Sequence, residues 1–196
     1  MAELLLFHHA HGMTPGFLSF AGELRAAGHT VYTPDLYEGN TFADLEAGVA
    51  YAKQVGFDTI IHRGKLAADG LPEAIVYGGF SLGVLPAQML AQTRAGARGA
   101  LLFHSCVPPA EFGPGWPRGV PAQIHIMEND TLALEGDLDA ARGLAESSPE
   151  AQLFLYPGDR HLFADSGLAD YDPAATALLM QRVRAFLKDL RPASPA

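Results

Sequence analysis

The sequence predicts an α/β fold, a mostly parallel sheet of about six strands with helices on both faces. Three observations predict it. Short apolar runs alternate with amphipathic segments along the chain, and strands that alternate with helices pair in parallel through their crossover connections. Some runs, Ala100-Leu101-Leu102-Phe103 above all, are continuously apolar, as strands covered on both faces require. The residues best suited to chemistry follow directly after such runs, at the C-terminal strand ends where open parallel sheets bind their ligands.

The elements follow in order. Residues 4–7, LLLF, form the first strand. A helical pattern spans residues 17–27, with Gly28 as its stop. Residues 30–33 are a strand ended by Pro34, and residues 42–54 and 57–68 are helical. Residues 74–77 are the next strand, followed by a helix over 82–94 that carries Pro86 in its first turn, where the missing N–H costs nothing. Strand 100–103 leads into a Pro/Gly-rich loop over 107–121. Strand 123–127, helix 138–146, strand 152–156 and a closing helix over 173–190 complete the pattern. The tail RPASPA is expected to fray. No repeat or linker divides the chain, so residues 1–196 read as one domain.

Composition narrows the function. With 48% hydrophobic and 18% charged residues the chain can build a substantial core. A formal charge of -9 opposes binding to nucleic acid or an anionic membrane. The single cysteine, Cys106, cannot form an internal disulfide, and it reads as a small buried residue. The opening MAELLLFHH has too short an apolar run for a secretory signal and no preceding Lys or Arg. The expectation is a cytoplasmic protein, monomer or homodimer, acting on a small molecule without cofactor or metal.

Gly79-Phe80-Ser81-Leu82-Gly83 matches G-x-S-x-G between a strand and a helix. A sharp turn there holds a serine hydroxyl in the open, and small neighbours let adjacent backbone pass. A dinucleotide fingerprint would need glycine at Phe80, and a P-loop would need lysine at Val84. A serine nucleophile needs a base and a carboxylate that orients it. Asp130 follows strand QIHIM, with Glu128 as the competing carboxylate, and His161 follows strand QLFLY. Asp137 and Asp139 read as first-turn acids of the next helix. Serine, acid and histidine thus follow separate strands in the order of the elbow-type hydrolases. The candidate catalytic residues are Ser81, Asp130 and His161. The oxyanion donors are the N–H of Leu82, after the nucleophile, and that of Ala10 in the loop HHAHG after the first strand. A dinuclear H-x-H-x-D-H site through His9 and His11 would need Asp at Met13 and His at Thr14. No metal motif is completed.

The stretches VYTPDLYEG (31–39), YGGFSLG (77–83), IHIMEND (124–130) and YPGDRHLFAD (156–165) resemble the dienelactone hydrolase family of the α/β-hydrolase fold. The resemblance implies Ser81 as nucleophile, Asp130 as acid and His161 as base, on a sheet lacking the first two strands of the common hydrolase fold. It also implies His9, Tyr37 and Phe163 as substrate-binding residues. Trp116 reads equally as a pocket wall or a cover for the core. The chain departs from the family's best-known members in three ways. Ser81 replaces the elbow cysteine, His9 stands in for an oxyanion-loop glutamate, and Asp165 falls where an arginine would bind the substrate carboxylate. The expected activity is a carboxylesterase or lactonase acting on small substrates. A hydrolase-fold binding or regulatory protein without turnover is the alternative, as is a true dienelactone hydrolase.

Overall fold

A computed structural model describes residues 1–190; the RPASPA tail lies outside the described residues. In chain order the elements are β1 (Glu3–Phe7), α1 (Pro15–Ala26), β2 (Thr30–Tyr32), α2 (Leu45–Val55), α3 (Phe57–Ala68) and β3 (Val76–Phe80). Then come α4 (Val84–Thr93), β4 (Gly99–Phe103), β5 (Ala122–Met127), α5 (Asp137–Ser147), β6 (Ala151–Tyr156) and α6 (Pro173–Asp189). The strands form one sheet in the order β2-β1-β3-β4-β5-β6, with every neighbouring pair parallel. This is the order of the common hydrolase sheet without its first two strands. Among the described residues no helix is long and apolar enough to cross a membrane.

Period-two alternation divides the core between the two faces. Leu5 and Phe7 of β1 join Ala52, Ile60, Ala87 and Leu144 on the side covered by α2 to α5. Leu4 and Leu6 join Phe17, Leu24, Leu179 and Val183 under α1 and α6.

Most elements fall within a residue or two of the sequence pattern. Helix α2 starts three residues later than expected, at Leu45, because Asp44 caps it by accepting from the Ala47 N–H. Two further differences have physical reasons. Helix α1 starts two residues before the expected Phe17, because Thr14 caps it by accepting a bond from the Phe17 N–H and Pro15 occupies its first position. Strand β3 runs to Phe80 rather than stopping at Tyr77, since Gly78, Gly79 and Phe80 pair with Leu101, Leu102 and Phe103 of β4.

The turn after β3 is built by close approach. A Cβ on Gly79 would lie 2.0 Å from the Gly83 carbonyl oxygen, and one on Gly83 would lie 2.5 Å from that of Phe7. Both obstacles are backbone and cannot swing aside. Gly79→Ala is therefore expected to destabilise the protein by at least ~1–3 kcal/mol of overpacking. That corresponds to a melting temperature lower by about 2–12 °C. An unchanged melting curve would show that the turn opens at no cost.

Candidate active site

The turn between β3 and α4 holds Ser81 at φ 49, in the left-handed region that non-glycine residues rarely adopt. The strain lifts the half-buried side chain clear of both elements. Ser81 Oγ lies 2.7 Å from His161 Nε2. His161 Nδ1 lies 2.7 Å from Asp130 Oδ2. The other oxygen of Asp130 accepts from the Leu132 and Ala133 N–H groups at 3.0 and 3.3 Å. Asp130 is buried, so its carboxylate is held by these donors rather than by water. Glu128 is exposed, and Asp130 is the carboxylate on the histidine. The chain of bonds can move a proton off the hydroxyl onto Nε2 while the carboxylate steadies the resulting imidazolium.

The three opening histidines tie the loop after β1 to three other segments. His8 Nε2 accepts from the Leu36 N–H at 2.9 Å, and burial pushes its pKa down to about 4. His9 Nε2 lies 2.7 Å from Asp165 Oδ2. His11 Nδ1 donates to the Phe42 carbonyl at 3.0 Å. The Gly12 N–H closes the turn on the His9 carbonyl at 3.0 Å, with Ala10 inside it. The close approach of Gly83 to Phe7 and His8 sets this loop beside the elbow. Among the described residues no group of three or more His, Cys, Asp or Glu side chains could hold a metal ion.

Three of the expected site residues are displaced into the core. His9, Tyr37 and Phe163 are each 0% exposed and offer no surface to a ligand. Both nitrogens of His9 are taken, by Asp165 and by the His11 N–H. Tyr37 donates its hydroxyl to the Gly48 carbonyl at 3.0 Å and packs on Phe42 and Tyr51. Phe163 packs behind the site on Tyr156 and His104. Trp116 is a cover for the core: it packs against the α2-to-α5 side and donates its ring N–H to the Val120 carbonyl. Cys106 is buried with its thiol pushed up to about 12 by burial, so it holds no reactive thiolate.

One residue near the triad escaped the sequence reading, and a second was read only in part. His104, directly after β4, is fully buried at φ 70, with its ring centroid 6.2 Å from that of His161 and 4.7 Å from that of Phe163. Among the described residues neither of its ring nitrogens has a hydrogen-bond partner, and burial drives its pKa well down. Its position at a strand end was the available signal. Asp137 does open α5 as expected, but it is half-buried rather than solvated. Burial raises its carboxyl pKa, while the Ser105 hydroxyl and the nearby His161 pull the other way.

No curated protein matches the chain by sequence. Several solved structures share its fold. A dienelactone hydrolase from Anabaena variabilis is 20% identical with a TM-score of 0.68, over 97% of this chain and 88% of the other. A dienelactone hydrolase-like promiscuous phosphotriesterase from metagenomic libraries is 17% identical at a TM-score of 0.71, covering 97% and 87%. An esterase from Thermogutta terrifontis is 16% identical at 0.64, covering 98% and 86%. At such identities the likeness shows the fold. The model of the dienelactone hydrolase family itself matches residues 3–191. That match spans nearly the whole chain, and the protein belongs to the dienelactone hydrolase family, as a hydrolase of ester bonds.

Proposed function

We propose that the protein is a serine carboxylesterase or lactonase for small, neutral substrates. The observation that carries this reading is the unbroken chain of bonds Ser81–His161–Asp130, with both links at 2.7 Å. Ser81 Oγ attacks the ester carbonyl carbon as its proton passes to His161 Nε2. The oxygen that gains charge is met by the Leu82 and Ala10 N–H groups. The ester C–O bond breaks, and His161 returns the proton to the leaving alcohol. Water then attacks the acyl-serine, giving its proton to Nε2. The acid departs and Ser81 regains its hydrogen. Asp130 stays ionised throughout and keeps the imidazole in the tautomer that can accept at Nε2.

Neutral substrates are favoured because the position expected to hold a carboxylate-binding arginine is Asp165, buried and bonded to His9. Arg160, next to His161, is exposed and turned to the Tyr171 carbonyl. A substrate carboxylate would lose its water without a cation to replace it, at a cost of at least ~1–3 kcal/mol. A neutral short-chain ester is expected to exceed a carboxylate-bearing analogue with the same leaving group by about ten- to a hundredfold in kcat/KM. Equal rates would return the dienelactone substrates to first place. An organophosphonate should label Ser81 stoichiometrically. An intact but unlabelled protein would instead be a binding protein on a hydrolase scaffold.

A further inference from the structure

Resting on the serine-hydrolase reading, we propose that His9 and Asp165 form a positioning pair that sets the oxyanion loop at its working distance from Ser81, by tying that loop to the segment that carries His161. The two residues lie 156 positions apart in sequence, and their side chains meet at 2.7 Å. Both are fully buried. His9 immediately precedes Ala10, the loop's oxyanion donor, and Asp165 lies four residues beyond His161. One carboxylate therefore sits between the two halves of the catalytic apparatus that Ser81 itself does not hold.

The carboxylate gathers more than one bond. Asp165 Oδ2 accepts from His9 and from the Thr14 hydroxyl, and Oδ1 accepts from the Gly167 N–H at 2.8 Å. Thr14 in turn caps α1 through the Phe17 N–H. The loop is thus pinned at its start by His9 and at its end by Thr14. The imidazole is fixed from both sides as well. The His11 N–H points at His9 Nδ1 at 3.3 Å, so Nδ1 bears the lone pair and Nε2 the hydrogen. That hydrogen requires an acceptor, which Asp165 supplies. The peptides on either side of Ala10 take their orientation from this arrangement. Because a buried carboxylate gains little net stability from its partners once its own desolvation is counted, the value of the pair lies in geometry: a misplacement of about 1 Å at a catalytic group costs roughly a hundredfold in rate.

Asp165→Asn is the discriminating variant, since it keeps the shape and loses an acceptor. With its nitrogen toward His9, an asparagine meets the His9 and Thr14 donors. With the amide flipped, it meets the Gly167 N–H. Neither orientation satisfies the site. The variant is compared with wild type and with Leu144→Ala, a core truncation in α5 on the far side of the sheet from α1. The readings are kcat and KM for a neutral short-chain ester, and the rate of Ser81 phosphonylation by an organophosphonate whose P=O oxygen enters the oxyanion hole. All are taken below the melting temperature of every variant.

Asp165→Asn is expected to lower kcat and the phosphonylation rate together by about 10- to 100-fold, with KM changed by no more than about threefold. Leu144→Ala should melt earlier and retain both rates. If Asp165→Asn melts earlier but keeps both rates within about twofold, the pair is structural and the proposal is overturned. Should that variant fail to fold, Thr14→Val decides. It removes the bond to the carboxylate together with the cap on the Phe17 N–H and is expected to slow both rates at least about threefold; unchanged rates overturn the proposal. A wild-type protein that neither turns over esters nor is phosphonylated would sink the serine-hydrolase reading, and this inference with it. Normal wild-type labelling with no effect in the variants would sink this inference alone.

Discussion

Ser81→Ala is expected to cut ester turnover by about a million-fold while leaving the fold in place. Alanine keeps the Cβ that the backbone already accommodates at φ 49 and removes only the oxygen that His161 Nε2 meets at 2.7 Å. Among the described residues no other hydroxyl bonds to His161. The residual rate should come from the N–H groups and substrate binding alone. Steady-state kinetics together with a thermal melt make the check. A variant within tenfold of wild type would remove Ser81 from the mechanism, whereas a large fall in melting temperature would mean that the hydroxyl serves the fold.

The second large effect concerns acid. His8 and His125 are buried as neutral rings, with burial pushing their pKa values down to about 4 and about 3. Arg182 adds to the effect at His125. In the unfolded chain a histidine titrates near ~6.5. Between that value and pH 4 the unfolded state therefore binds more protons than the native state, so stability rises with pH and falls on acidification. At ~1.4 kcal/mol per unit, each ring accounts for about 3 kcal/mol by pH 4. The pKa values of His9 and His104 are lowered by burial in the same sense. Burial raises the Asp165 carboxyl, but bonds to His9, Thr14 and Gly167 outweigh it and lower its pKa, so its contribution is lost only at lower pH, as the ordinary carboxylate range is passed. Typical domains are stable by only ~5–15 kcal/mol. Urea unfolding should accordingly show a midpoint that drops steeply between pH 7 and pH 4.5, reversibly. A flat midpoint over that range would mean that these rings reach solvent or take up protons while folded.

Much of this architecture was legible in the sequence because it depends on local rules. A continuous apolar run gave β4 nearly to the residue, since a strand buried on both faces favours apolar side chains throughout; β5 was bounded as closely by its flanking turns, although it carries the buried polar residues Gln123 and His125. Ser81, Asp130 and His161 could be picked out because each follows a strand, and in a parallel sheet all those ends converge on one edge. What sequence could not supply was side-chain direction. Tyr37 and Phe163 belong to segments that resemble a hydrolase site, yet their rings turn inward, and that turn is decided by packing against Phe42, Tyr51, Tyr156 and His104. The contact between His9 and Asp165 was equally hidden: neither residue has a local pattern that announces the other. The left-handed backbone at His104 left no decisive signal either: histidine is enriched there among non-glycine residues, yet only a small share of histidines adopt it.

The bond between His9 and Asp165 also bears on how the protein is made. A ribosome delivers the first loop early and Asp165 late. Until the later segment emerges, His9 and Thr14 have no carboxylate to receive their hydrogens, and burying them would leave two donors unmet. His161, too, arrives only after β6, an edge strand of the sheet. A nascent chain that has already folded around β1, β3 and β4 thus carries an exposed Ser81 with neither base nor fixed oxyanion loop. On the serine-hydrolase reading proposed above, hydrolytic competence and completion of the fold would coincide in time, and the growing polypeptide would stay chemically silent until its last third has docked.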